Sequence, residues 1–205
     1  MKIVTAATDV QWDELINTKS KIDWERVPDS TYFIKFDNAD AYFYLKDNIV
    51  IPDFALLKKP VFINAVIHTL AEIKAPVNVV RLNGWPTFLQ RPVWEVAGIL
   101  DENMITRFQN QGIKLNIVGD DPGFISARII AMIINEAYFT VTDNISSKKE
   151  IDTAMKLGTS YPYGPFEWVE LIGKQYILEL LQKLNATDAR YQPAALLIKE
   201  IKENK

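Results

Sequence analysis

Proton chemistry in this chain would draw on its carboxylates, Glu95 among them, and on its single imidazole, His68. Taking the proton from an alcohol needs a base within hydrogen-bond reach of it. A carboxylate such as Glu95 or an imidazole such as His68 can fill that role. The Asn83 amide cannot, because it takes up no proton near neutral pH. Glu95 reads either as an acid/base group or as a strand-end carboxylate beside a cleft. His68, the single histidine, has Val66 and Ile67 beside it, the setting of a structural histidine on an amphipathic segment. No cysteine is present, which excludes thiolate catalysis, disulfides and Cys-ligated metals, and one histidine excludes a His-rich metal site.

Cofactor chemistry is restricted as strongly. All eight glycines lie at Gly84 or later. A dinucleotide pyrophosphate normally sits on a helix N-terminus reached through a glycine turn. Here the matching stretch is Thr5-Ala6-Ala7-Thr8, and each Cβ holds the backbone away from a phosphate. No bound cofactor is expected from these residues.

The 205 residues suit one large domain or two small ones, and 48% hydrophobic with 24% charged content is ordinary for a globular chain. The net charge of −3 leaves no basic stripe for nucleic acid. The apolar start is short and broken by Asp9, unlike a signal peptide. The longest apolar run, 129–134, is too short to span a membrane. These absences point to a cytoplasmic protein.

Residues 2–7 read as a strand, and Thr8 with Gln11 as a capping box opening a helix to about Thr18. Strands are expected at 31–36, 41–45, 60–64, 77–82 and 113–118, a helix-like stretch around Leu70, and a helix from Asp101 to Gly112. The aromatics Tyr32, Phe33, Phe36, Tyr42, Phe43 and Tyr44 read as core or as a ligand wall. The alternation predicts a Rossmann-like α/β layer over 1–119. After the turn-rich Gly119-Asp120-Asp121-Pro122-Gly123 only helices are expected, over 120–205. The helix from Gly123 to about Thr142 is apolar nearly all round. Ser147 with Glu150 caps the next helix, which Gly158 can terminate. Pro165 opens a long helix running to Leu184, and Pro193 opens the last.

The stretch Ile151-Asp152-Thr153-Ala154-Met155-Lys156-Leu157-Gly158-Thr159-Ser160-Tyr161-Pro162-Tyr163-Gly164-Pro165-Phe166-Glu167-Trp168 is long and unusual. It resembles the signature of the C-terminal helical domain of the L-3-hydroxyacyl-CoA dehydrogenase family. Asp121-Pro122-Gly123-Phe124-Ile125, Arg128, Asn135-Glu136-Ala137 and Tyr191-Gln192-Pro193-Ala194 extend the resemblance over about 120–200. Upstream, Asn38-Ala39-Asp40 and Phe62-Ile63-Asn64-Ala65-Val66 match it more weakly, as do Leu82-Asn83-Gly84-Trp85-Pro86 and Val93-Trp94-Glu95-Val96.

The resemblance implies NAD-dependent oxidation of a 3-hydroxyacyl-CoA in fatty-acid metabolism, by a histidine that a glutamate orients. It places Glu95 at the glutamate and Asn83 at the histidine. Asn64 falls in a substrate-side segment, Val66 at a substrate-positioning serine, and Ala127 or Ser126 at an asparagine of the first helix. It therefore implies a degenerate member with impaired or lost dehydrogenase activity and no NAD. The alternatives are a non-catalytic acyl-CoA-binding or assembly subunit, or an enzyme with a relocated base such as His68. The family's relatives pair through the helical domain, so a homodimer through 120–205 is expected.

Overall fold

A computed structural model describes residues 1–46 and 54–203. The chain divides into two compact units, Met1–Phe124 and Ile125–Lys205. The division falls five residues after the expected 119/120 seam, and the first unit's own contacts explain why. Asp120 and Asp121 are bound by Arg81, and Gly123 N–H donates to the Val66 carbonyl at 2.7 Å.

The first unit is a seven-stranded sheet in the order β2-β1-β3-β4-β5-β6-β7. The strands are β1 (Lys2–Ala6), β2 (Asp23–Arg26), β3 (Ala41–Tyr44), β4 (Val61–Asn64), β5 (Val79–Leu82), β6 (Val93–Ala97) and β7 (Lys114–Ile117). All neighbours are parallel except β5 and β6. β3, β4 and β5 are buried along their whole length, as apolar strands covered on both faces are. β2, with the sequence Asp-Trp-Glu-Arg, has an edge strand's charge, which is why propensity alone does not find it.

On one face, α1 (Asp9–Ile16) and α2 (Glu102–Asn110), the latter through Met104 and Phe108, cover Phe43, Phe62 and Trp94. Phe43 and Phe62 lie 4.8 Å apart between ring centroids, and Phe62 and Phe108 lie 5.4 Å apart. On the other face Phe33 stacks on Tyr42 at 5.0 Å. The aromatics of β3 are therefore core.

Three expected elements differ. Residues 31–36 form no strand but a 3-10 helix, Ser30–Lys35. Asp29 caps it by accepting from Thr31 N–H at 2.8 Å, and both edges of β1 are already paired with β2 and β3. Around Leu70 the chain makes a single turn rather than a helix, with the Ala75 N–H returning to the Leu70 carbonyl. In the second unit the long helix is two, α5 (Pro165–Ile172) and α6 (Lys174–Asn185), separated by Gly173 at φ 100°.

The second unit also holds α3 (Ser126–Thr142), α4 (Lys148–Thr159) and α7 (Ala195–Glu203). Gly158 lies inside α4, and the left-handed Ser160 ends that helix instead. Along α3, Ile130, Ala131, Ile134 and Tyr138 are buried, whereas Ile129 is 51% exposed. The apolar character all round the helix is therefore not matched by burial all round.

Candidate functional site

The sheet reverses direction of growth between β1 and β3: the chain leaves β1 for β2, then returns across β1 to β3. In open α/β sheets the crevice outside the carboxyl ends of the strands at such a reversal is where ligands bind. The residues found here begin with the capping box predicted from sequence. Thr8 Oγ1 accepts from Gln11 N–H, and the Gln11 side chain accepts from Thr8 N–H at 3.1 Å. Two donors of the α1 N-terminus are thus satisfied by the chain's own side chains. Ala6 and Ala7, just before the cap, are buried.

Beside this edge lies a surface cavity of about 320 Å³ lined by Ala7, Arg26, Val27, Pro28 and Lys46. Its cations are engaged. Arg26 pairs with Asp9 at 2.6 Å and donates to the Ala7 carbonyl, and Lys46 donates to the Pro28 carbonyl at 2.6 Å.

Farther along the edge, Asn64 at the end of β4 accepts from Gly84 N–H at 3.2 Å and donates to the Leu45 carbonyl at 3.3 Å. Gln11 Nε2 donates to the same Leu45 carbonyl at 2.8 Å and to the Gly84 carbonyl at 3.0 Å. Gly84 is needed for closeness: a Cβ there would sit 3.1 Å from the Asn64 amide. Asn83 is buried, and its amide donates to Glu95 Oε2 at 3.5 Å. The structure therefore brings Asn64, Asn83 and Glu95 to one edge and joins the last two directly. Asn83 holds Glu95 and supplies no base.

His68 lies half-buried on the segment after β4. Val66 is buried, and its carbonyl accepts from Arg81. Ser126 and Ala127 open α3 in the second unit, Ala127 fully buried and Ser126 half-buried. Among the described residues no group of three or more His, Cys, Asp or Glu is placed to hold a metal ion.

Two residues at this edge were not singled out from sequence. Arg81 is fully buried in β5. Its guanidinium donates to the Ala65, Val66 and Asp121 carbonyls at 2.8, 3.1 and 3.2 Å, and pairs with Asp120 at 2.5 Å. Its Cζ lies 4.6 Å from the Phe124 ring centroid. Burial pulls the Arg81 pKa down and Asp120 opposes that pull. An arginine inside the apolar run Val79-Val80-Arg81-Leu82 was the available signal. Glu14 on α1 accepts from the Thr87 N–H and, at 3.0 Å, from the Leu89 N–H. Burial raises its pKa, against the lowering by those backbone bonds.

In the second unit the long signature is architecture. Asp152 accepts from Phe166 N–H at 2.8 Å, capping α5, and a Cβ on Gly164 would collide with the Asp152 side chain. Glu167 closes the cap by accepting from Gly164 N–H at 2.9 Å and pairs with Lys156. Tyr161 packs edge-on against Trp168 at 5.6 Å. The buried Asn135 amide clips the last loop to α3, accepting from Ala194 N–H at 2.8 Å and donating to the Gln192 carbonyl at 2.9 Å.

Residues 123–205 match the 3-hydroxyacyl-CoA dehydrogenase C-terminal domain. Over 91 residues the chain is 44% identical to 3-hydroxyadipyl-CoA dehydrogenase of Escherichia coli K12, covering 43% of this chain and 19% of that protein. It is 38% identical over 89 residues to human mitochondrial hydroxyacyl-coenzyme A dehydrogenase, covering 42% of this chain and 28% of that protein. The chain thus spans less than a third of the curated relatives it matches. The crystal structure of (S)-3-hydroxybutyryl-CoA dehydrogenase from Ralstonia eutropha superposes with a TM-score of 0.68 over 89% of this chain and 70% of that one. At 19% identity that likeness concerns the fold.

Proposed function

From a chain that carries the C-terminal domain of the 3-hydroxyacyl-CoA dehydrogenase family behind a Rossmann-like sheet, we propose a member of acyl-CoA metabolism with little or no NAD-dependent turnover. The observation that carries this reading is the α1 N-terminus. Its capping box uses donors that a pyrophosphate would need, and Thr5 to Thr8 place a Cβ at every position of the turn. The residues present do not fit a dinucleotide, so no hydride step is derived through one. Asn83 beside Glu95 supports the same reading, since the pair offers a carboxylate and no imidazole.

The test is acetoacetyl-CoA reduction followed by NADH absorbance. The expected rate is background, and Asn83→His is expected to leave it there because the cofactor turn is also changed. Clear wild-type turnover that disappears in Glu95→Gln or His68→Ala would overturn the proposal in favour of a relocated base.

The role that remains is a non-catalytic acyl-CoA-binding or assembly subunit. It is supported by a helical unit whose signature residues are intact in their capping roles. A thermal-shift series with NAD, NADH and acyl-CoAs separates the readings. A ligand of the folded state at a hundred times its Kd adds about 2.7 kcal/mol. Stabilisation by an acyl-CoA without NAD supports the binder, and stabilisation by neither in a stable dimer supports assembly.

A further inference from the structure

We propose that residues 84–91, the loop between β5 and β6, form a lid that Glu14 latches shut over the carboxyl edge of the sheet. Trp85, Phe88 and Leu89 are buried, so the loop is closed in this structure. Side chains from outside the loop hold it. Glu14 accepts from Thr87 and Leu89 N–H, Asn64 accepts from Gly84 N–H, and Gln11 donates to the Gly84 carbonyl.

At the centre of this grip Thr87 has φ +80°, a conformation that a β-branched residue keeps only where its surroundings impose it. The latch is itself under tension, because burial opposes the ionised form of Glu14. Opening relaxes Thr87 and hydrates the carboxylate. Closing makes four hydrogen bonds and buries three large apolar side chains. Opposed contributions confined to one loop make an element that opens locally while the strands stay paired.

Opening frees the Gln11 amide N–H that donates to the Gly84 carbonyl and the Asn64 Oδ1 that accepts from Gly84 N–H, beside the β1/β3 reversal, where sheets of this kind take their ligands. In the closed state the chain's own loop occupies the hydrogen-bonding groups there. The contact is thus autoinhibitory: a ligand reaches those groups by displacing the lid. This inference does not depend on whether the dehydrogenase reaction is lost.

The absence of cysteine makes the lid measurable. Leu89 and Leu82 are both fully buried, one in the lid and one in β5. Leu89→Cys and Leu82→Cys each give one thiol, whose labelling by N-ethylmaleimide reads opening. The Leu89→Cys thiol is expected to react at least about tenfold faster than the Leu82→Cys thiol. Adding Glu14→Ala leaves two amides without acceptors and is expected to speed only the lid thiol, by about tenfold or more. Glu14→Gln, which keeps one acceptor, should fall between. Equal acceleration of both thiols, or of neither, overturns the latch. Should Glu14→Ala fail to fold, equal labelling of the two thiols in the wild-type background overturns the lid.

Discussion

Arg81 shows what a single side chain settles in this protein. Its guanidinium meets three carbonyls and one carboxylate, which binds the β4–β5 region to the last residues of the first unit. Removing one partner of a buried pair leaves the other charge and its hydrogen-bond partners unsatisfied. Arg81→Met is therefore expected to cost about 3 kcal/mol, the lower end of the usual range because Asp120 is partly exposed. The check is the shift in urea unfolding of the first unit at unchanged slope. Arg81→Lys should recover little, since an ammonium lacks the planar fork that serves these partners at once. A cost below about 1 kcal/mol would mean the network is not what holds the seam.

Among the elements, the helix caps carry the second unit. Gly164 stands at the N-cap of α5 with an ordinary φ, so its glycine is required by closeness to Asp152 and not by backbone conformation. Gly164→Ala should force the two apart and cost about 1–3 kcal/mol, read as a lowered Tm. Asp152→Ala in that background should then cost less than it does alone, a coupling that a double-mutant cycle measures.

Glu200 on α7 ties three helices: it pairs with Lys148 of α4 and Lys174 of α6 and accepts from the Tyr138 hydroxyl of α3 at 3.1 Å. Burial alone would raise its pKa, but these partners together hold it below 4.5. With the folded value depressed, the stabilisation is complete above 4.5 and is lost as pH falls through the folded value. The stability gap between wild type and Glu200→Gln should stay constant from neutral pH down to about 5 and close below that. A gap that persists unchanged in stronger acid would rule out the ionised clamp.

For the whole molecule the open question is self-association. Ile129 and Ile125 on the α3 side are half exposed, Phe139 is 36% exposed, and Leu157 on α4 is 81% exposed. A small helical unit with apolar side chains left in water gains by burying them elsewhere. The expectation is a two-fold homodimer through the helical unit, the same patch serving both copies. Light scattering at tens of micromolar should give the mass of two chains, and Ile129→Glu should halve it without lowering helicity. A one-chain mass that does not change on dilution would end the homodimer.

The sequence by itself determined whatever rests on local chemistry. The Thr8 and Ser147 capping boxes, the Asp101 cap, the strands at 41–45, 60–64 and 77–82 and the glycine-free first turn follow from residue type and spacing. So did the match to a family's helical signature, because 18 consecutive residues of cap, turn and packing requirements are seldom met by another fold. Tertiary structure decided what depends on neighbours distant in the chain. Residues 30–35 coil instead of pairing because β1 has no free edge. The charged Asp23–Arg26 becomes a strand because an edge tolerates charge. Glu14 and Gln11 became ligands of a loop more than seventy residues away, a pairing no periodicity records. Arg81, too, owes its place to distant neighbours. Only the sheet, by bringing three carbonyls and Asp120 to one point, offers a buried guanidinium enough partners to offset its lost water.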